Sequence, residues 1–359
     1  MKLFIIVNSG LETIAQQEIK ELINVDAKIY GSLLEFEVSD YQQIIFLIKH
    51  LQSAKRITLS LGEFCDLEKL ELLKLDFSFK DYFYNDALFK IEVDNVRGNE
   101  NRLEIARKVS AQFYDCLEGL GLNLQMELKR PELIVLVHEH EGNYFLGLDL
   151  CGKEINARDY RVFTNSASFK GDFGYFFVRK SGFKVDEKLL CVFAKDGTIA
   201  IEAALYANRL PVNKDLRKFS YQKFPAFANL EKHLENEKNK NVVYAFDDSK
   251  QNFTAMRKNA TLAGVQDVLE TSRVGLEELD VKFKEQELDR LVIQLTTKDE
   301  DKINEIYYQA SYVLKKGGTM LIIARKVLDV SVSEKFNLIN EEEISRGDSI
   351  HKIWLLEKK

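Results

Sequence analysis

Between Lys188 and Ala324, short apolar runs alternate with longer segments whose apolar residues recur at helical spacing. Strands and helices in strict alternation imply a parallel, doubly wound sheet with helices on both faces. The predicted strands are Lys188–Phe193, Val242–Phe246, Val268–Glu270, Arg290–Leu295 and Thr319–Ala324, and the predicted helices are Gly197–Leu210, Lys250–Ala263 and Lys302–Leu314. Two further segments, Lys335–Ile339 and His351–Leu356, predict a terminal antiparallel hairpin. This pattern alone leaves several doubly wound folds open.

The first 65 residues follow a different order of elements. Their apolar spacing predicts a strand, a helix, two strands around Gly31 and Ser32, a second helix that begins after Asp40, and a strand from Arg56 to Phe64. This β-α-β-β-α-β order is that of a ferredoxin-like fold, which is a common scaffold and indicates little about function.

A third pattern covers residues 66–163. It predicts strand Phe89–Val93, helix Asn101–Leu117 and strands Leu133–His138 and Tyr144–Leu150, and a polar stretch follows from Thr164 to Gly174. Three domains are therefore predicted, at residues 1–65, 66–163 and 164–359. Basic residues lie mostly at the loops and element ends of the second domain, and they form either a solvated rim or a face that contacts phosphates. They are Arg97, Arg102, Lys108, Lys129, Arg130, Arg158 and Arg161.

Composition limits the classes of function. The net charge is −6, so nucleic-acid binding would need one local basic face rather than a basic protein. No window approaches the roughly 20 apolar residues of a membrane span, and we expect a cytoplasmic protein without a membrane partner. The cysteines have no CxxC pair and the histidines are scattered, so we expect buried free thiols and no metal site.

Several phrases of the chain resemble one family. Residues 130–163 contain Asp149, Gly152, Arg158, Tyr160 and Arg161 at the spacing of the phrase that ends a THUMP domain. Residues 197–207, 255–265 and 314–326 resemble framework helices and a strand of the methyltransferase domain that follows THUMP in the tRNA and rRNA guanine-N2 methyltransferases. The resemblance covers essentially the whole chain.

This resemblance implies an N-terminal ferredoxin-like domain, a THUMP domain and a doubly wound, seven-stranded Rossmann-like methyltransferase domain, which the terminal hairpin also suits. It further implies that S-adenosylmethionine is the family's cofactor and that RNA, most often tRNA, is bound by THUMP while the target base is flipped into the third domain. The RNA-binding residues it indicates, together with the basic residues of the second domain, are Arg97, Arg102, Lys129, Arg130, Arg158, Tyr160 and Arg161.

The loop that should bind the cofactor departs from the family pattern. Where the family has small residues, the chain has Cys191 to Thr198, and only Phe193, Gly197 and Thr198 agree with the pattern. Lys195 stands at a glycine position, where any positive φ would be strained, although its ammonium could instead pair with the cofactor's carboxylate. Asp247 follows the second strand, where it could accept hydrogen bonds from the ribose or cap the next helix.

The loop that should bind the target base departs further. The family's Asn-Pro-Pro-Tyr is replaced by Gln294, Leu295, Thr296 and Thr297, so no aromatic ring remains to stack on a base. Gln294 keeps an amide but moves it by one methylene, and a shift of about 1 Å can reduce a rate about a hundredfold. Gln294 is the candidate catalytic residue if the chain is active.

Three hypotheses follow. The first is an RNA-binding pseudoenzyme or noncatalytic subunit, with a catalytic or accessory protein as a further partner. The second is an active guanine-N2 methyltransferase that uses Gln294, Asp247 and Lys195. The third is a protein-interaction scaffold, for which the charged runs Glu341–Glu343 and Glu231–Lys240 are the hints.

Overall fold

The computed structural model describes residues 1–68, 70, 72, 77–228, 230, 242–328, 330–347 and 349–359. The chain divides into two compact units. Unit 1 comprises Met1–Ile155 and Asn213–Leu234, and unit 2 comprises Asn156–Val212 and Glu235–Lys359. The predicted boundaries at residues 65/66 and 163/164 stay predictions, and one sheet runs through residues 2–149 of unit 1.

Unit 1 begins with the predicted β-α-β-β-α-β order. Its first elements are β1 (Lys2–Ile6), α1 (Glu12–Ile23), β2 (Lys28–Tyr30), β3 (Leu33–Glu37), α2 (Tyr41–His50) and β4 (Arg56–Phe64). The carboxylate of Asp40 accepts from the Gln43 N–H and caps α2, as the sequence predicts. The strands pair antiparallel in the order β2-β3-β1-β4, so the ferredoxin-like order is confirmed.

The same sheet continues with the second group of elements in unit 1. These are β5 (Leu88–Asp94), α3 (Asn99–Gly119), β6 (Gln125–Met126), β7 (Leu133–His140) and β8 (Asn143–Asp149). β8 pairs antiparallel with β4, which joins the two groups into a sheet of eight strands within the described residues. Gly147 of β8 is required at this junction, because a Cβ atom there would overlap Thr58, Phe4 and the Leu59 carbonyl.

Unit 2 contains the predicted doubly wound sheet. Its elements are α4 (Gly171–Lys180), β9 (Leu189–Val192), α5 (Thr198–Ala207), β10 (Val243–Phe246), α6 (Lys250–Ala263), β11 (Leu269–Ser272), α7 (Leu279–Lys282), β12 (Leu288–Gln294), α8 (Glu300–Val313), β13 (Leu314–Arg325), β14 (Phe336–Arg346) and β15 (Ser349–Lys358). Over the described residues, seven strands lie in the order β11-β10-β9-β12-β13-β15-β14. The first five are parallel, and the β14–β15 hairpin joins antiparallel through β15, as predicted.

Helix α4 was not predicted, since its first four residues were assigned to a polar stretch. Its glycines explain the error, because they lower helix propensity but allow close packing here. A Cβ atom at Gly171 would overlap Arg158 and Glu202, and one at Gly174 would lie 3.0 Å from Thr198 and 3.2 Å from Glu202. The helix is therefore stabilised by its packing against α5.

Three of the four cysteines are buried. Cys116, Cys151 and Cys191 are buried free thiols as expected, whereas Cys65 is exposed, so that expectation was wrong for Cys65. Among the described helices, none is long and apolar enough to cross a membrane.

Candidate functional site

The loop between β9 and α5 lies at the carboxyl edge of the parallel strands, where doubly wound folds bind their ligands. Phe193, Lys195 and Gly197 all have left-handed backbones, with φ values of 53°, 54° and 83°. Gly197 also allows close approach, because a Cβ atom there would lie 2.7 Å from Met256 of α6. Thr198 begins α5, and its hydroxyl donates to Asp196 at 2.9 Å. The loop is thus a tight, folded turn against α6.

Lys195 has the positive φ whose strain the sequence predicts. A left-handed conformation costs an L-residue with a Cβ roughly 1–2 kcal/mol. The Lys195 ammonium lies 5.8 Å from the ring centroid of Phe193, the preceding left-handed residue. The side chain therefore stays beside its own loop.

Replacing Lys195 by glycine should stabilise unit 2 by about 1 kcal/mol, because glycine adopts this φ without the Cβ penalty. The fluorescence of Trp354, the chain's single tryptophan and a residue of β15, reports urea unfolding of unit 2. Lys298→Gly is the matched control, since Lys298 is exposed and lies outside the residues with positive φ. Equal shifts of the midpoint in both variants would contradict this assignment of strain.

Asp247 is buried beneath this loop, with 2% of its surface exposed. Its Oδ2 accepts from the Lys195 N–H at 3.0 Å. Its Oδ1 accepts from the Ser249 N–H and from Asn252 Nδ2, each at 3.0 Å. The cap of α6 is Ser249, whose hydroxyl accepts from the Asn252 N–H, so of the two alternatives for Asp247 the capping role was wrong. Asp247 instead ties the β9–α5 loop to the start of α6.

This arrangement fits S-adenosylmethionine poorly. A ribose needs an accessible acceptor at the end of the second strand, and the Asp247 carboxylate is covered and hydrogen-bonded to its own chain. The neighbouring Asp248 is exposed; its main-chain carbonyl, rather than its carboxylate, accepts from Arg273 Nε at 2.9 Å. Thr198 is also buried, so two of the predicted cofactor-binding side chains face protein atoms.

Gln294 ends β12 and is 9% exposed. Its Nε2 donates to the carbonyl of Ala167 at 2.7 Å. The segment around Ala167 is held at further points, because Asn165 Nδ2 donates to Asn252 and Asn259 Nδ2 donates to the Phe163 carbonyl. The Gln294 amide, predicted above as the candidate catalytic group, therefore anchors a segment of its own chain.

The predicted RNA contacts of Arg158 and Tyr160 were wrong. The side chains of Arg158 and Glu202 are fully buried, and the guanidinium donates to the carboxylate through Nε at 2.8 Å and Nη2 at 3.1 Å. The Tyr160 hydroxyl donates to the same carboxylate at 2.6 Å. Burial and the Glu202 charge raise the pKa of Tyr160. Arg158 and Tyr160 therefore attach the segment that precedes α4 to helix α5. Buried in this way, their side chains cannot reach a phosphate in this fold.

Arg161 is also engaged within unit 2. Its Nε donates to the Thr198 hydroxyl at 3.1 Å, its Nη2 lies 3.7 Å from the Asp196 carboxylate, and its side chain is 11% exposed. Four predicted cations are exposed in unit 1, namely Arg97, Arg102, Lys129 and Arg130. Arg102 donates through Nε to the Val96 carbonyl at 2.7 Å, which fixes the loop that carries Arg97.

A basic cavity of about 340 Å³ that was not predicted from the sequence lies beside Gln294. Its walls include Thr296 and the three basic side chains Arg325, Arg346 and His351. These three residues belong to β13, β14 and β15, and only the strand register brings them together. The spacing of apolar residues does not predict which residues of neighbouring strands lie opposite each other, so this cavity was not predicted from the sequence.

The acidic run on β14 is paired with lysines. Glu341, Glu342 and Glu343 lie on β14 and pair with lysines at 2.6, 2.6 and 2.8 Å, respectively. The other charged run, Glu231–Lys240, lies outside the described residues.

Comparisons with known proteins agree with this architecture. Residues 158–326 match the family UPF0020, described as an RMKL-like methyltransferase domain. A tRNA (guanine(6)-N2)-methyltransferase of Archaeoglobus fulgidus is 27% identical over 270 residues, which cover 73% of this chain and 66% of that protein. The ribosomal RNA large subunit methyltransferase K/L of Vibrio parahaemolyticus is 23% identical over 282 residues, which cover 74% of this chain and 40% of that protein.

Two solved structures share the fold over the whole chain. TrmN from Thermus thermophilus superposes with a TM-score of 0.72 at 17% identity, covering 100% of this chain and 99% of that one. A protein of Clostridium difficile 630 described as a possible methylase has a TM-score of 0.76 at 17% identity, covering 100% and 98%. At this identity the likeness establishes the fold alone. The similarity to the UPF0020 family's RMKL-like methyltransferase domain therefore covers residues 158–326, slightly less than half of the 359-residue chain.

Proposed function

We propose that this chain is an RNA-binding, THUMP-type methyltransferase homologue that does not bind S-adenosylmethionine, and that tRNA is its RNA partner. The proposal rests on the burial and the hydrogen bonds of the Asp247 carboxylate. Its carboxylate is 2% exposed and accepts three hydrogen bonds from its own chain, so it offers a ribose no accessible acceptor. Freeing it would leave the Lys195 N–H and the start of α6 without their partner, at a cost of about 1–3 kcal/mol for each buried polar group.

The base-binding side supports the same proposal. Gln294 uses its amide nitrogen to hold Ala167, and Thr296 and Thr297 provide no aromatic surface. Stacking on an aromatic side chain contributes about 1–3 kcal/mol per base, and this contribution is missing here. Because the cofactor loop and the base loop both lack their usual contacts while the framework of the sheet is intact, a binding role fits better than methyl transfer.

RNA as the partner is supported by the named relatives and by exposed cations. The archaeal relative is a tRNA methyltransferase and the bacterial one an rRNA methyltransferase. In unit 1, Lys129 and Arg130 lie exposed on the turn before β7. In unit 2, the Lys258 ammonium lies 4.5 Å from the centroid of the partly exposed Phe163 ring. A base could stack on this ring beside the positive charge.

Reversing the charge of Lys129 and Arg130 together should weaken binding of a tRNA pool about tenfold or more at 0.1 M salt. The salt dependence of log Kobs should also become shallower by about two, because roughly two phosphate contacts are lost. Both effects can be measured by gel shift over a salt series.

The matched control is Lys315→Glu with Lys316→Glu. This double variant changes the net charge by the same amount as the first one. Its two adjacent exposed lysines lie at the end of β13 opposite to the cavity. Equal weakening by the control pair would show that only net charge matters. Absence of any tRNA shift in the unmodified protein would refute the RNA-binding role.

A further inference from the structure

The terminal hairpin brings three basic residues of unit 2 to one face of the sheet. Arg325 of β13 lies directly opposite His351 of β15, and His351 lies opposite Ile344 of β14. Directly opposed residues project to the same face, as do residues two apart in a strand, so Arg346 shares the face of Ile344. The register therefore groups Arg325, His351 and Arg346.

These three residues line the cavity of about 340 Å³ described above, called here the hairpin cavity. Its volume is at the lower end of the range for small-molecule sites, about 300–1,000 Å³. The described residues that line it include no aspartate or glutamate, and the uncharged polar side chains are Gln294 and Thr296. The cavity thus offers positive charge together with hydrogen-bonding groups.

His351 provides a buried polar atom without a partner. The residue is 7% exposed, and within the described residues its Nδ1 has no hydrogen-bond partner. Its ring packs edge-on against Phe169 with centroids 5.1 Å apart. A buried polar group is unfavourable when it has no partner, so an acceptor or donor that enters the cavity would be favoured there.

Arg346 is held in place beside it. Its Nη2 donates to the Ser168 carbonyl at 2.6 Å, and its guanidinium lies 5.0 Å from the centroid of the Phe169 ring. The guanidinium is therefore oriented before any ligand arrives, which reduces the entropy lost on binding.

The basic groups also repel one another. Burial and the charges of Arg346 and Arg325 lower the pKa of His351, while the Ser349 backbone acts in the opposite direction. Burial and the charges of Arg161 and Arg325 lower the pKa of Arg346, and Asp196 opposes this shift. Like charges held close together destabilise their charged forms, and a bound anion would relieve that repulsion.

We propose that the hairpin cavity binds the phosphate group of a nucleotide, with Arg325, Arg346 and His351 as its ligands. Arginine binds phosphate oxygens through paired N–H donors, and Nδ1 of His351 can donate a further hydrogen bond. Gln294 and Thr296 then face the remainder of the nucleotide. This inference deepens the proposed function and rests on it only for the source of the phosphate, which is either an RNA strand or a free nucleotide.

The test uses the full chain and three probes in calorimetry: guanosine 5′-monophosphate, guanosine and inorganic phosphate. We expect the monophosphate to bind at least tenfold more tightly than guanosine, with inorganic phosphate competing for its site. Arg325→Gln should weaken binding of the monophosphate about tenfold or more, the usual effect of losing one charge-assisted hydrogen bond. Arg325 is exposed, so the substitution should not affect folding.

The matched control is Lys326→Gln, which removes one positive charge at the next residue. Lys326 pairs with Glu343 at 2.8 Å and does not line the cavity. Any of three results would overturn the proposal. The two variants could weaken binding equally, guanosine could bind as tightly as its monophosphate, or the monophosphate could fail to bind at millimolar concentration.

A tRNA gel shift with the same proteins separates this inference from the proposed function. If an RNA strand supplies the phosphate, Arg325→Gln should weaken tRNA binding more than Lys326→Gln does. If the monophosphate binds as expected but tRNA does not bind the unmodified protein, the proposed function fails and the cavity is a free-nucleotide site. If tRNA binds but the monophosphate does not, the phosphate site fails and the RNA-binding role stands.

Discussion

Replacing Glu202 by alanine is expected to lower the free energy of unfolding of unit 2 by about 3–5 kcal/mol. The Glu202 carboxylate accepts two hydrogen bonds from Arg158 and one from Tyr160, and the side chains of the ion pair are fully buried. Alanine would leave the Arg158 guanidinium buried without its partner. An uncompensated buried charge is strongly destabilising, because it has lost both water and its counter-charge. Trp354 fluorescence during urea unfolding measures the change.

A second pair in unit 2 provides the matched control. Glu187 accepts from Arg290 through Nε at 2.8 Å and Nη2 at 2.7 Å, but its side chain is 20% exposed and that of Arg290 is 14% exposed. Glu187→Ala should therefore cost about 1 kcal/mol, because water can solvate the arginine left behind. Similar losses in both variants would contradict the assigned role of burial.

Replacing Asp149 by alanine should be about as damaging to unit 1, with a cost of about 3–5 kcal/mol. Its side chain is fully buried, and it accepts from Arg56 Nη1 at 2.5 Å and from the Cys151 N–H at 2.7 Å. Burial raises the pKa of Asp149 despite the opposing charge of Arg56. Hydrogen exchange should show lost protection at the amides of β4 and β8, the two strands that this pair connects.

Glu92→Gln serves as the control for Asp149→Ala. Glu92 is the other carboxylate on Arg56, at 2.9 Å, and its side chain is 32% exposed. Its neutralisation should cost about 1 kcal/mol or less, since Arg56 keeps Asp149 and the site is partly solvated. A loss of protection in Glu92→Gln as large as that in Asp149→Ala would contradict the account of this pair.

Local signals explain which elements the sequence could predict. Helix α6 has the predicted bounds, Lys250–Ala263, although Ser249 rather than Asp247 caps its start; Gly264 takes the left-handed position at its end. The terminal hairpin was predicted from two short apolar segments but is longer, since β14 continues through exposed charged residues. Helix α4 was missed because its glycines are explained only by packing against α5.

The candidate site was only partly predictable. The two unusual loops could be located because Lys195 and Gln294 interrupt recognisable phrases. The burial of Arg158 could not be predicted, because its partner Glu202 lies 44 residues away, on helix α5. The same limit applied to the hairpin cavity, where three residues far apart in sequence meet through strand register. Contacts between residues far apart in the chain produce no periodic pattern in the sequence, so residue spacing could not predict them.

Titration of the full chain with S-adenosylmethionine in a calorimeter tests the central claim most directly. A tRNA gel shift on the same preparation verifies that the protein is folded and competent to bind. We expect tRNA binding together with no saturable heat from S-adenosylmethionine up to millimolar concentration, because the Asp247 carboxylate is already buried and hydrogen-bonded within its own chain. Saturable binding of S-adenosylmethionine with a micromolar Kd would contradict it and would favour an active methyltransferase.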